Sequence, residues 1–265
     1  MIKGLLALDE NLASSIALRY AARLVTMLPL QLQAGHVEIP DEKQYVKGTG
    51  WVRRTWEQGV MDAGRQAIQR LLNTEKVGCP FIGVPKVFVG DRDDELLEEL
   101  GTGGYDLFLE GNLNTSNIND FYKLVSSSLY AKSPCPVMVV KNLVAGKRVA
   151  LLCGDGVDHE ALIPRTLTLL NGNGFDFDLL FYRYQENGGP VIMGKEEAGS
   201  VLFAAEELLR AENRRAMSSQ VVCGTPEGVA DMLKKYMVVA SSFPLRRSPR
   251  LELLAHCPSP VLFCK

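Results

Sequence analysis

The chain has 265 residues, enough for two domains of ordinary size, and 46% of them are hydrophobic, which supplies a core for each. Its 29 basic and 31 acidic residues leave a formal charge of -2, so no net field draws in nucleic acid or an anionic membrane surface. Asp9 and Glu10 interrupt the apolar start before signal-peptide length, and no long uncharged apolar run follows, so a cytoplasmic location is expected.

In chain order, apolar runs at residues 5–8, 30–37, 84–89, 105–109 and 137–140 read as strands. Between them, helices fit residues 11–27, 50–72, 93–100 and 118–131. Short apolar runs alternating with helices predict a parallel sheet buried on both faces. Beyond residue 146 the alternation returns in shortened form, with strands at 149–152, 177–181, 219–223, 237–240 and 261–263 and a main helix over 194–214, rich in alanine, leucine and glutamate.

The return is a repeat. Pro134-Cys135-Pro136-Val137-Met138-Val139-Val140-Lys141 is echoed by Pro258-Ser259-Pro260-Val261-Leu262-Phe263-Cys264-Lys265. Gly90-Asp91 before an acidic helix start matches Gly224-Thr225-Pro226-Glu227, and the opening strand closed by Asp9 matches the strand at 149–153 closed by Gly154-Asp155. Matches in one order point to duplication. The expected fold class is α/β, with two tandem doubly wound, Rossmann-like domains, each carrying a five-stranded, mainly parallel sheet. Their expected bounds are 1–142 and 147–265, joined by a linker at 143–146, the second domain being the shorter.

Open parallel sheets bind ligands beyond the carboxyl ends of their strands, where strand order reverses. In the first copy those ends are Asp9, Val37 and the turn Glu110-Gly111-Asn112-Leu113-Asn114. The ordered set of Asp9, His36-Val37, Gly90-Asp91, Tyr105-Asp106-Leu107-Phe108-Leu109-Glu110-Gly111 and Pro134-Cys135-Pro136-Val137 resembles the universal stress protein pattern across the whole domain. The resemblance implies adenine and ribose near Asp9 and Val37, and a loop G-x2-G-x9-G-[ST] after the fourth strand, whose glycines admit phosphate oxygens to backbone N–H groups.

Gly111 matches the first glycine of that loop, Asn114 stands at the second, and Leu124-Val125 fall where glycine and a hydroxyl belong. The nearest hydroxyls are Ser126, Ser127 and Ser128. The candidate nucleotide contacts are therefore Asp9, Val37, Gly111, Asn114, Ser126 and Ser127, in a site expected to be degenerate. The second copy departs further: Ser241-Ser242-Phe243-Pro244 holds no glycine, and a phosphate loop and a full helix are not both expected to fit before Pro258.

Plainer readings stand beside these. Asp9 and Asp155 each precede a helix and fit an N-cap as well as a ribose contact. Asp155, Asp158, His159 and Glu160 have metal-ligand chemistry but equally suit a helix start, and His256, Cys257 and Cys264 are too few for a metal site; none is expected. Arg246-Arg247-Ser248-Pro249-Arg250 reads as solvated loop charge, and the six scattered cysteines read as reduced thiols, mostly at strand ends.

The resulting expectation is a universal-stress-type protein with a non-catalytic stress-response or regulatory binding role, its ATP site largely lost. No cofactor is required, with AMP or ATP in the first domain as the alternative. A nucleotide-hydrolysing enzyme is the remaining rival, against which no Walker lysine motif or paired metal carboxylates can be read. The partners expected are the chain's own second domain through pairing of the last strands, a second copy in a homodimer, and a regulatory protein; neither nucleic acid nor a membrane is among them.

Overall fold

Successive side chains of a strand point to opposite faces, so a strand whose neighbouring residues are all buried must be covered on both. Leu5 and Leu6 of β1 (Ile2–Ala7) are each fully buried, as are Phe108 and Leu109 of β4 (Leu107–Gly111). The computed structural model describes residues 1–39, 50–113, 117–154, 156–170, 174–244 and 246–265. They fall into two units, Met1–Gly111 with Ser127–Cys135, and Asn112–Ser126 with Pro136–Lys265.

In the first unit the strand order is β3-β2-β1-β4, with β2 (Leu30–Glu38) and β3 (Lys86–Val89), and every pairing is parallel. The crossovers are α1 (Leu12–Val25), α2 (Trp51–Glu75) and α3 (Arg92–Gly103). Asp91 caps α3 by accepting from Asp93 N and Asp94 N, and acids in the first turn oppose the helix dipole. Order reverses between β1 and β4, which makes their carboxyl ends the place for a ligand.

In the second unit the order is β5-β11-β10-β6-β7-β9-β8, with β5 (Val137–Val140), β6 (Arg148–Cys153), β7 (Asp176–Tyr184), β8 (Val191–Gly194), β9 (Ala216–Gly224), β10 (Val238–Ser242) and β11 (Val261–Cys264). From β11 to β9 the pairings are parallel, and order reverses between β6 and β10. β5 runs antiparallel to β11, with Val137 opposite Phe263 and Val139 opposite Val261. The two echoed segments are thus paired strands, and each covers an edge of the other.

Several elements differ from the sequence expectation. The helix expected over 118–131 is two, α4 (Ile118–Val125) and α5 (Ser128–Lys132), because Ser127 adopts an extended conformation and caps α5 by accepting from Tyr130 N. The helix expected over 194–214 is a 3₁₀ turn, Lys195–Ala198, followed by α7 (Ser200–Ala211); Gly199, at φ 58° and ψ -134°, takes a backbone conformation that breaks the helix. β8 is an additional strand, antiparallel to β9, so the second sheet has more than five strands. Gly188-Gly189-Pro190 before Val191 was its turn signal.

The caps also differ. Asp9 does not cap α1: Asn11 does, accepting from Ser14 N at 2.8 Å. Asp155 lies outside the described residues, and the cap of α6 (His159–Leu169) is Asp158. Between β10 and β11 a complete helix fits, α9 (Pro249–His256), as long as α4 at eight residues. Leu251, Leu253 and Leu254 of α9 are fully buried. At about 2 kcal/mol each, this burial offsets the weak intrinsic stability of so short a helix. The first copy is longer at this point because it adds α5.

Candidate functional site

Parallel register between β1 and β2 pairs Ala7 with Gly35 and brings Asp9 beside His36. His36 is buried; its Nδ1 lies 2.8 Å from the Leu8 carbonyl and 3.1 Å from Asp9 Oδ1, and its Nε2 lies 3.1 Å from Glu38 Oε1. Burial works against a charged imidazole, but the bonds to Asp9, the Leu8 carbonyl and Glu38 outweigh it and push the group up to about 9. At neutral pH both ring nitrogens therefore carry protons and donate. Burial also raises the Asp9 carboxyl, yet the His36 bond and the nearby Arg92 hold it below the usual carboxylate range.

A second charged group lies at the end of β4. Glu110 is buried, accepts from Arg92 Nη2 through Oε2 at 2.5 Å, and accepts from the Tyr130 hydroxyl through Oε1. Tyr130 is fully buried with its ring edge-on to Phe108, 6.5 Å between centroids. Burial and then Glu110 push its hydroxyl well up, so it stays a donor. The first unit thus fills the end of its sheet with interlocked charges: carboxylates of Asp9, Glu38 and Glu110 face the cations His36 and Arg92.

The candidate nucleotide contacts are dispersed into structural roles. A Cβ on Gly111 would lie 2.0 Å from the Ala13 carbonyl oxygen, so glycine is required there by the close approach of α1. Val37 is buried in β2, opposite Phe88 of β3. Ser126 donates its hydroxyl back to the Tyr122 carbonyl of α4, and Ser127 caps α5. Leu124, where the family spacing places a glycine, is half-buried in the last turn of α4, and Asn117 already caps the start of that helix by accepting from Asn119 N and Asp120 N. Asn114 lies outside the described residues.

No protein-family model matches the chain, and no curated protein matches it. Solved structures do. A universal stress protein from Archaeoglobus fulgidus DSM 4304 aligns over 99% of this chain and 96% of its own, at 17% identity and a TM-score of 0.63. The fold is that of a tandem universal stress protein. A candidate universal stress protein from Pseudomonas aeruginosa UCBPP-PA14 covers 99% of the chain and 92% of its own at 13% identity and TM-score 0.51. A functionally unknown protein from P. aeruginosa PAO1 covers 98% and 91% at 12% identity and TM-score 0.52.

In the second unit of this universal-stress fold, a cleft of about 650 Å³ opens at the carboxyl ends of β6 and β7, beside the start of α9. Cys153, Gly154 and Gly156 form one wall, Phe181 to Tyr184 a second, and Arg246 with Ser248, Pro249 and Arg250 a third. Its size is that of a small-molecule site, and it sits where the sheet reverses. Gly154 has a φ of 156°, and a Cβ added there would meet the Tyr182 carbonyl oxygen at an ordinary 3.5 Å.

Of the arginine run expected to be solvated loop charge, Arg246 and Arg247 are exposed and Arg250 is part-shielded; Arg246 and Arg250 line the cleft, and the Arg247 guanidinium lies over the Tyr122 ring at 5.2 Å. Arg183 and the aromatic residues around it carried no signal, because their place at the end of β7 depends on pairing with β6.

The remaining candidates are separate from one another. Cys257 bonds through Sγ to the Ser259 carbonyl at 3.8 Å, and Cys264 contacts Thr166 Oγ1 at 3.6 Å. Among the described residues no cluster of three or more His, Cys, Asp or Glu could hold a metal ion, and no helix is long and apolar enough to cross a membrane. All six cysteines are free, and all but the half-buried Cys79 are buried.

Proposed function

We propose that this is a universal-stress-type binding protein without turnover, duplicated with domain bounds near 1–142 and 147–265, whose first copy has lost its ATP site. The observation that carries the reading is the engagement of the groups a nucleotide would need: Asp9 bonds His36, Gly111 packs against Ala13, and Ser126 and Ser127 bond to their own helices. Without a glycine-lined phosphate cradle, a triphosphate has neither the backbone donors nor the space that the loop supplies. The role that fits is regulatory, through a small ligand or a protein partner.

One observation favours a second reading, adenine-nucleotide sensing through the first copy: the Asp9 side chain remains 39% exposed at the end of β1. The two are separated by denaturing the purified protein and analysing the supernatant for nucleotide, then titrating ATP and AMP while following the melting temperature. The expected result is no co-purified nucleotide and no shift attributable to the first copy. A shift abolished by Asp9→Asn establishes the sensing reading instead, and phosphate release above buffer establishes an enzyme.

A further inference from the structure

The outer edge of the second unit's sheet is covered over only part of its length. β9 runs from Ala216 to Gly224, but β8 pairs only with residues 220–223, from Gly194 opposite Gln220 to Val191 opposite Cys223. After Gly194 the chain leaves the sheet in the 3₁₀ turn Lys195–Ala198. On its other side β9 stays paired with β7 as far as Phe177 opposite Ala216. Among the described residues no strand and no loop backbone bonds to the outer edge of residues 216–219, and Met217 stands 68% exposed there.

Backbone groups of a strand alternate between its two edges, so this open stretch holds unpaired N–H and C=O groups over about 13 Å, room for an added strand of about four residues. A cleft of about 670 Å³ reaches the start of the stretch at Ala216. It lies at the amino end of β9, away from the carboxyl ends where open α/β sheets take their ligands. Lys195, Arg210, Arg214 and Arg215 line it, with Glu206 as the one carboxylate among the described residues. The undescribed loop before β7, residues 171–173, reads Asn-Gly-Asn and holds no ionisable group.

Glu206 fixes the cleft without cancelling its charge. It accepts from Lys195 at 2.9 and 3.0 Å and from Ser219 Oγ at 2.6 Å, and lies 3.7 Å from Arg210. The Ser219 bond ties the open stretch of β9 to α7, so the cations stand on the α7 face of that edge. Arg215 is exposed, and among the described residues no carboxylate lies within ion-pair distance of it. A strand added here would turn every second side chain toward α7 and the cations. Charges at a sheet edge discourage indiscriminate pairing, and the same charges favour a strand of the opposite sign.

We propose that the open half of β9 takes an extended acidic segment of a partner protein as an added strand, with carboxylates at every second position facing Lys195, Arg210, Arg214 and Arg215. Backbone pairing supplies the attachment, and the alternation of the carboxylates supplies the selection. The inference goes beyond the loss of the ATP site in the first copy and does not depend on it, since every residue involved belongs to the second unit.

The test is fluorescence anisotropy at low salt, with the full chain titrated into dye-labelled heptapeptides. Thr-Glu-Val-Glu-Val-Glu-Thr is expected to bind about fivefold more tightly than Glu-Glu-Glu-Thr-Val-Val-Thr, which has the same composition and charge, and Thr-Lys-Val-Lys-Val-Lys-Thr is expected to be inert. N-methylation of the valines removes donors from one edge of the peptide, and N-methylation of the glutamates removes them from the other. One pattern is expected to abolish binding and the other to spare it. R215Q and R210Q are each expected to weaken the alternating peptide about threefold, as suits an exposed charge pair. R70Q, at an exposed arginine of the first unit, is expected to leave the affinity unchanged. R215Q alters an exposed side chain and keeps the test decisive if R210Q folds poorly. No binding at about millimolar peptide, the blocked sequence binding as tightly as the alternating one, an equal response to the two methylation patterns, or R215Q and R70Q having equal effects would each overturn the proposal.

Discussion

His36 Nδ1 stands 3.1 Å from Asp9 Oδ1, a contact made possible by the parallel register of their two strands. The histidine is held up at about 9, so folding stabilises its charged form. Its contribution is fully present below the unfolded value near 6.5 and is lost as pH rises through 9. Urea midpoints are expected to fall across that window by the equivalent of about 1–2 kcal/mol, after allowance for solvent screening of a partly exposed pair. Asp9→Asn should flatten the fall and lower the imidazole titration observed by NMR; an unchanged histidine titration would exclude the contact.

Gly111→Ala should be among the most destabilising single-methyl changes in the first unit. The added carbon meets the Ala13 carbonyl oxygen at 2.0 Å, and both are backbone-determined positions. A loss of about 2–4 kcal/mol is expected in chemical denaturation, because neither α1 nor β4 can retreat without disturbing packed neighbours. Gly59→Ala, on the exposed face of α2 with nothing within 4 Å, should gain about 0.5–1 kcal/mol as helix propensity requires. Nucleotide titration of Gly111→Ala is therefore no measure of phosphate contact.

Glu110 depends on two donors. Tyr130→Phe removes one and leaves Arg92 in place, so a loss of about 1–2 kcal/mol is expected. Arg92→Leu leaves a buried carboxylate without its cation and should cost about 3–5 kcal/mol. The double variant should lose less than the sum of the two, since Glu110 then takes up a proton; equal additivity in a double-mutant cycle would refute the coupling.

Lys141, just after β5, donates to the carbonyls of Leu254 and Ala255 at the end of α9 and lies 4.4 Å from the Phe121 ring centroid. Burial lowers it to about 8. A lysine depressed on folding penalises the native state while charged, so stability should rise from about pH 8 toward the unfolded value near 10.4. Lys141→Met keeps the apolar stem but strands two helix carbonyls. A loss of about 1–3 kcal/mol near pH 7.5, and a flatter pH profile, are expected by thermal and chemical denaturation.

The tandem layout, the alternation of strands and helices and most helix positions were legible because they rest on local periodicity and on repeated words such as the proline pairs before β5 and β11. The break at Ser127 and the strand β8 were not. Helix propensity continues through Ser126-Ser127-Ser128, and only the capping contact with Tyr130 N shows where the chain turns. The strand ends at Asp9, Val37 and Gly111 were legible as positions but their contacts were not: nothing in the spacing indicates that Gly111 faces the backbone of α1 or that Ser127 is spent on a cap.

By itself the sequence determined that two α/β repeats would form, since apolar runs of strand length alternating with amphipathic helices leave a doubly wound sheet as the way to bury them. Tertiary structure alone decided what stands at the strand ends. In the first unit parallel register sets His36 and Glu110 among compensating charges, and in the second it brings the end of β7, Phe181 to Tyr184, to a cleft shared with Arg246 and Arg250. The physical reason is that desolvation and ion pairing are properties of distance in space, and residues as far apart in sequence as Tyr182 and Arg250 acquire theirs only when the sheet brings the ends of its strands together.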